Sequence, residues 1–233
     1  MASYFDQFSI VSIVPGITNS SFMLLVAIFS GILLFKSNAL VPNRWQVFVE
    51  VLYNHWVNLI KDSLGLKGLK YFPFIFSLFL LLMLLNLLGL FPYVFTVGTH
   101  IIITFGISLS ILIAVTILGI KNFKFDFFSM LMPQGAPMGL APLLVLIETA
   151  SYLSRAVSLG VRLAANLSAG HLLFAILASF SYRMLVNDML FLSLFPIGIM
   201  VFITVLEIAV AMIQAYVFCL LTTIYLEDTL KSH

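Results

Sequence analysis

Residues Leu140–Leu177 read LAPLLVLIETASYLSRAVSLGVRLAANLSAGHLLFAIL, and the apolar run continues to Tyr182. Inside it sit Glu148, Arg155, Arg162, Asn166 and His171. At 1.5 Å rise per residue the run is roughly 65 Å long as one helix, against a hydrocarbon layer of about 30 Å. Two arrangements meet that mismatch: a single helix tilted steeply, or an interfacial piece before Gly160 followed by an ordinary span. Phase favours the first. At about 100° per residue, Glu148, Arg155 and Asn166 fall within about 40° of Arg162. Ser151, Ser158, Ala165 and Ala169 form a neighbouring stripe of small residues, which lets another helix approach closely. His171 lies on the opposite side from Arg162. A charged side chain at the bilayer centre costs about 2.5–3.5 kcal/mol on insertion scales. Such residues therefore face a partner or a watery cavity.

The rest of the chain has the same character. Of 233 residues, 62% are hydrophobic and 9% charged, with a net charge of +2. Soluble domains are nearer 45–50% apolar and about 25% charged. This composition excludes a water-soluble globule, a disordered tail and a nucleic-acid binder. It implies one all-α polytopic membrane domain over residues 1–233. About five crossing helices are expected. The first covers residues 19–35. Two more form a hairpin over 71–120, with Pro92 and Gly98 at the turn. The last two form a long tilted hairpin over 140–226, with Asn187 and Asp188 at the turn.

Residues 42–62 differ. Gln46, Glu50, Asn54, Asn58 and Asp62 recur every four residues, opposite Trp45, Phe48, Val49, Leu52, Trp56, Leu59 and Ile60. Both tryptophans of the chain lie here, so the segment reads as an amphipathic helix flat on one membrane face, or as one packed on a partner. Lys36, Arg44, Lys61, Lys67, Lys70, Lys121, Lys124 and Lys231 fall on one side of the predicted topology; the other carries Arg183, Asp6 and Asp188. The positive-inside rule then puts the C-terminus inside and the N-terminus outside. The segment MASYFDQFSI is neither a basic secretory start nor an Arg-rich transit peptide. Insertion through the chain's own helices is expected.

The last hairpin also sets a register. Glu207 and Gln214 lie seven residues apart, nearly on one face. The pairs Arg162–Gln214 and His171–Glu207 are centred on residues 188 and 189, at the expected turn. Arginine remains a cation in proteins. Histidine titrates near neutrality and relays protons, and a carboxylate can join it. A fixed cation beside a His–Glu relay suggests ion translocation. The plainer readings are a satisfied buried histidine and a structural salt bridge of Arg162. Glu148 is about 20 Å from Arg162 along the same helix, and no carboxylate of this chain is expected level with it. That points to a partner on another subunit.

The stretches IETASYLSRAVSLGVRLAANLSAGH (Ile147–His171) and EIAVAMIQAYVFCLLTTIYL (Glu207–Leu226) resemble subunit a of the F-type ATP synthase, the stator subunit of its proton channel. NLLGLFPYVFTVGTH (Asn86–His100) and LMPQGAP (Leu131–Pro137) add support. The resemblance covers most of the chain beyond about Val41. It implies that Arg162 is the essential arginine, with Asn166 following it and Gln214 opposite. It implies that His171 and Glu207 line the outer half-channel and Glu148 the matrix half-channel; Arg155 receives no role. Histidine before the turn and glutamate after it is similar to the mitochondrial pattern, which implies the mitochondrial inner membrane. The implied partners are a rotating ring of small hairpin subunits bearing a membrane carboxylate, together with peripheral-stalk and other membrane subunits.

The resemblance also implies a mechanism. Protons pass Glu207 and His171 to neutralise a ring carboxylate; after almost a full turn, Arg162 promotes its ionisation and blocks a direct leak. Two other classes are a secondary transporter, which usually shows internal symmetry and broken helices, and a scaffold subunit. The chain has no repeat and no GxxxxGK[ST] loop. No nucleotide, other cofactor or metal is expected: His55, His100, His171 and His233 include no i, i+4 pair, and Cys219 is the one cysteine.

Overall fold

The computed structural model describes residues 8–34, 43–91, 94–123, 141–187 and 189–230. Asp6, Lys36, Pro92, Lys124, the LMPQGAP stretch, Asp188 and Lys231 lie outside them. Among the described residues, a short hairpin of β1 (Ser12–Val14) and β2 (Ile17–Thr18) precedes six helices. These are α1 (Asn19–Leu34), α2 (Arg44–Leu64), α3 (Phe72–Gly89), α4 (Ile101–Phe123), α5 (Ala141–Val186) and α6 (Leu190–Leu230). Single 3₁₀ segments, Leu66–Tyr71 and Val97–Thr99, lead into α3 and α4. The protein is an all-α polytopic membrane protein.

Among the described residues, four stretches are long and apolar enough to cross a membrane: Gly68–Gly89, Ile101–Asn122, Val157–Val186 and Phe191–Glu227. Asn19–Leu33 is apolar but shorter. Its 16-residue helix rises about 24 Å, a deficit that bilayers absorb by thinning locally.

The chain packs as two compact units. The first draws on Met1–Lys36, Phe79–Ile103 and Arg162–Val217. Its β-hairpin turns at Gly16, whose φ of 94° suits glycine. Asn19 holds the hairpin from the start of α1: its Nδ2 donates to Ser9 O at 3.2 Å, and its Oδ1 accepts from Val11 N at 3.2 Å. Ala27, Leu85 and Val97 are buried together, with Met23, Leu81 and Phe95 packed around them.

The second unit draws on Ser37–Leu78, Thr104–Val161 and Phe218–His233. Asn43 caps α2, accepting from Arg44 N at 2.8 Å. Gly65 ends it at φ 69°, with its N–H on Lys61 O, a left-handed cap that glycine adopts without steric cost. The two aromatic ends of α2 have different surroundings. Trp45 is 56% exposed and stacks on Phe48, whereas Trp56 is 1% exposed. Trp56, Ile60 and Leu64 are successive turns of one face and are buried. Trp56 is thus a core residue of this unit, where the sequence suggested a boundary tryptophan. The polar stripe is not simply solvated either: His55, Asn58 and Asp62 line a cleft with Thr223 and Glu227 of α6.

Helix α5 runs unbroken through Gly160. A Cβ there would lie 2.9 Å from Phe105 Cα and 3.2 Å from Thr104 O. Gly160 is therefore a point of close backbone approach to α4. Glycine lowers helix propensity by about 1 kcal/mol relative to alanine, too little to end a 46-residue helix whose flanks are packed.

Candidate functional site

The site lies in the first unit, where α5 and α6 run back along each other. The turn between them is closed by Asn187 N on Arg183 O at 3.2 Å and Met189 N on Met184 O at 3.1 Å. Two contacts flank that turn almost symmetrically. Asn166 Nδ2 donates to Gln214 Oε1 at 3.4 Å. Nearer the turn, Gly170 faces the Glu207 carboxylate so closely that a Cβ on it would overlap Oε1 and lie 2.8 Å from Cδ. Glycine at 170 is what lets the carboxylate sit against the α5 backbone.

These groups border one cavity of about 20 Å³, lined by Asn86 and Leu90, by Leu163, Asn166, Leu167 and His171 of α5, and by Glu207, Val210, Ala211 and Gln214 of α6. One water requires roughly 10–15 Å³ and polar partners; the cavity offers both. The His171 ring hydrogen-bonds the Gly89 backbone at the end of α3, where a helix leaves carbonyls without intrahelical donors. Phe8 meets the same ring edge-on, with centroids 6.5 Å apart. Among the described residues, buried His171 Nε2 and Glu207 Oε1 have no hydrogen-bond partner. Since Nε2 is not engaged, the Gly89 bond falls to Nδ1. A buried polar group left unpaired costs about 1–3 kcal/mol, and a water in the cavity would offer these two, on facing helices, a partner.

The structure thus gathers His171, Glu207, Asn166 and Gln214 of the residues singled out in the sequence. It places Arg162 elsewhere. Leu163 and Ala164 of α5 are buried at 1% and 0% exposure, but Arg162, Ala165 and Ala169 are exposed. Arg162 is not among the residues that line the cavity, and a hydrogen bond to Gln214 comes from Asn166, one turn further along. In the second unit Ser158 is exposed and Ser151 half-buried. Glu148 and Arg155 belong to α5, but their side chains lie outside the described part.

One polar cavity residue was not singled out from the sequence. Asn86 of α3 is 1% exposed, and its Nδ2 donates to Ala211 O at 3.3 Å. The available signal was a lone amide within an apolar span.

Comparison with known proteins agrees with this architecture. The family model described as "ATP synthase A chain" matches residues 18–227. The chain is 60% identical over 232 residues to ATP synthase subunit a of Metridium senile, covering 100% of this chain and 99% of that one. It is 43% identical over 247 residues to that of Chondrus crispus, covering 100% and 98%. It is also 43% identical over 246 residues to that of Marchantia polymorpha, covering 98% of each. With a family match over nearly the whole chain and full-length relatives above 40% identity, the protein belongs to the ATP synthase subunit a family.

Proposed function

We propose that Arg162 acts on a carboxylate of a neighbouring ring subunit while His171 and Glu207 deliver protons to it from the outer side. Family membership makes the chain the proton-channel stator subunit of an F-type ATP synthase, part of a membrane complex. The proposal concerns which residues carry that function, and how. The observation that carries it is the exposed position of Arg162 in a membrane-spanning helix, next to exposed Ala165 and Ala169. A permanent cation is costly in lipid, and small neighbours allow a second helix to come close. A rotating subunit with a membrane carboxylate fits both features.

In this reading the proton enters from the intermembrane side at the His171–Glu207 cavity and neutralises the ring carboxylate. A neutral carboxyl group crosses lipid far more cheaply than a charged one. On its return, the Arg162 cation favours ionisation, and the proton leaves on the matrix side past Glu148. Arg162 also separates the two half-channels. Asn166 and Gln214 form the polar bridge between the cavity and the Arg162 turn of α5. The N-terminus lies on the intermembrane side and the C-terminus on the matrix side of the mitochondrial inner membrane, as the positive residues suggest. Peripheral-stalk subunits hold the chain against the ring.

The test is Arg162→Ala or Arg162→Gln in the assembled complex, with proton-coupled ATP synthesis and ATP-driven pumping measured together. Both activities are expected to be lost while the chain remains in the membrane complex. Coupled transport at the original rate would overturn the assignment.

A further inference from the structure

We infer that Asn86 is a positioning residue of the proton path, holding a water in the cavity between Gln214 and the His171–Glu207 pair. The inference rests on the reading of that pair as the outer half-channel. Three observations meet at one turn of α3. Asn86 Nδ2 donates to Ala211 O, between Glu207 and Gln214 on α6. Gly89, three residues on and so on the same side of α3, hydrogen-bonds the His171 ring through its backbone. The last turn of α3 therefore holds both helices that carry the relay.

The amide orientation follows from chemistry. Only an NH₂ group can face a carbonyl oxygen, so the bond to Ala211 O leaves Oδ1 turned to the other side. That Oδ1 is buried, and among the described residues nothing donates to it. Asn86 lines the cavity together with Asn166, His171, Glu207 and Gln214. A water there would have the two to four polar partners that buried waters take: Asn86 Oδ1 as acceptor, with Glu207, His171 and the Gln214 amide nearby. Nearby space is closed by packing: a side chain at Gly98 would run into Leu167, and its Cβ would lie 3.6 Å from Asn86 Oδ1. The titratable groups around the cavity are His171 on α5 and Glu207 on α6, so Asn86 itself needs no charge. Its part is to fix the water that connects them to Gln214.

The experiment compares Asn86→Leu, Asn86→Asp and Glu207→Gln in the intact membrane complex, with proton flux expressed per assembled complex. Leucine keeps the volume but removes donor and acceptor. Flux is expected to fall roughly tenfold, about the equivalent of one hydrogen bond in the path. Protonated aspartate imitates asparagine, its O–H donating to Ala211 O and its C=O accepting from water; ionised aspartate sets a charge against that carbonyl. Asn86→Asp should therefore restore flux at low pH on the entry side and lose it as pH rises, relative to the Asn86 chain at each pH. Full flux in Asn86→Leu would overturn the inference. So would an Asn86→Asp profile parallel to the Asn86 chain, which is readable even if Asn86→Leu assembles poorly. If Glu207→Gln also conducts normally, the half-channel reading fails as well; if Glu207→Gln is blocked and the Asn86 variants are not, the Asn86 inference alone fails.

Discussion

Two sides of one helix behave in opposite ways. On one side of α5, Leu163, Leu167 and His171 border a cavity with Glu207 and Gln214 of α6. On the other, Arg162, Ala165 and Ala169 are exposed. The first side is completed by this chain's own α3 and α6. The second is exposed. In the proposed function this difference has a reason. A relay that must hold its geometry between successive protons is best built within one packed unit. A group that meets a moving carboxylate cannot be enclosed in the same way, and small residues beside Arg162 would leave room for that passage.

This contrast can be broken from either side. The largest expected effect is at Arg162: Arg162→Ala should cut coupled transport by roughly 10²–10³-fold, the scale of removing a preorganised electrostatic group, in paired synthesis and pumping assays. Glu207→Gln removes the ionisable carboxylate from the enclosed side. A loss of about 100-fold in proton flux is expected, at the lower end of proton-transfer contributions. If Glu207→Gln leaves flux unchanged, the enclosed side is not a relay.

Gly170→Ala tests whether the relay geometry depends on a missing side chain. Its Cβ would overlap the Glu207 carboxylate. Displacement of that group should lower flux by roughly tenfold, within the range seen for misplacements near 1 Å, while the exposed side keeps its place. Equal flux in Gly170→Ala would mean that Glu207 can sit elsewhere. Smallest in effect on chemistry is Gly160→Ala, far along the same helix. It should act on stability, by about 1–3 kcal/mol of overpacking, because the nearest neighbours of its Cβ are backbone atoms of Thr104 and Phe105. The amount of assembled complex should fall, with flux per complex little changed.

Much of this was legible before any fold was known, and for a physical reason. Ionisable residues are expensive in lipid, so Arg162, His171 and Glu207 stand out in apolar runs. Helical phase separates Arg162 from His171. Asn86 stayed hidden because a single neutral amide in NLLGLFP carries no charge to make it conspicuous, and its partner, Ala211 O, is 125 positions away. Gly170 was equally silent, and Gly160 stood out only as a point where the long segment could divide. Their importance lies in which atoms approach the missing side chain, and a sequence does not list approaches. Trp56 shows the same limit: an amphipathic pattern identifies an apolar face on α2 without saying whether lipid or protein covers it.

By itself, the sequence determined a polytopic helical membrane protein, a hairpin register about residues 187–189, and the few polar residues that must have partners. The tertiary structure decided which of those residues share a cavity, that Asn166 bonds Gln214, and that Gly160 is a packing contact inside one continuous helix. The division follows from the range of the forces. Burial cost and helical periodicity act along the chain and leave a pattern in it. Hydrogen bonds and steric contacts between distant segments exist only once the helices have packed.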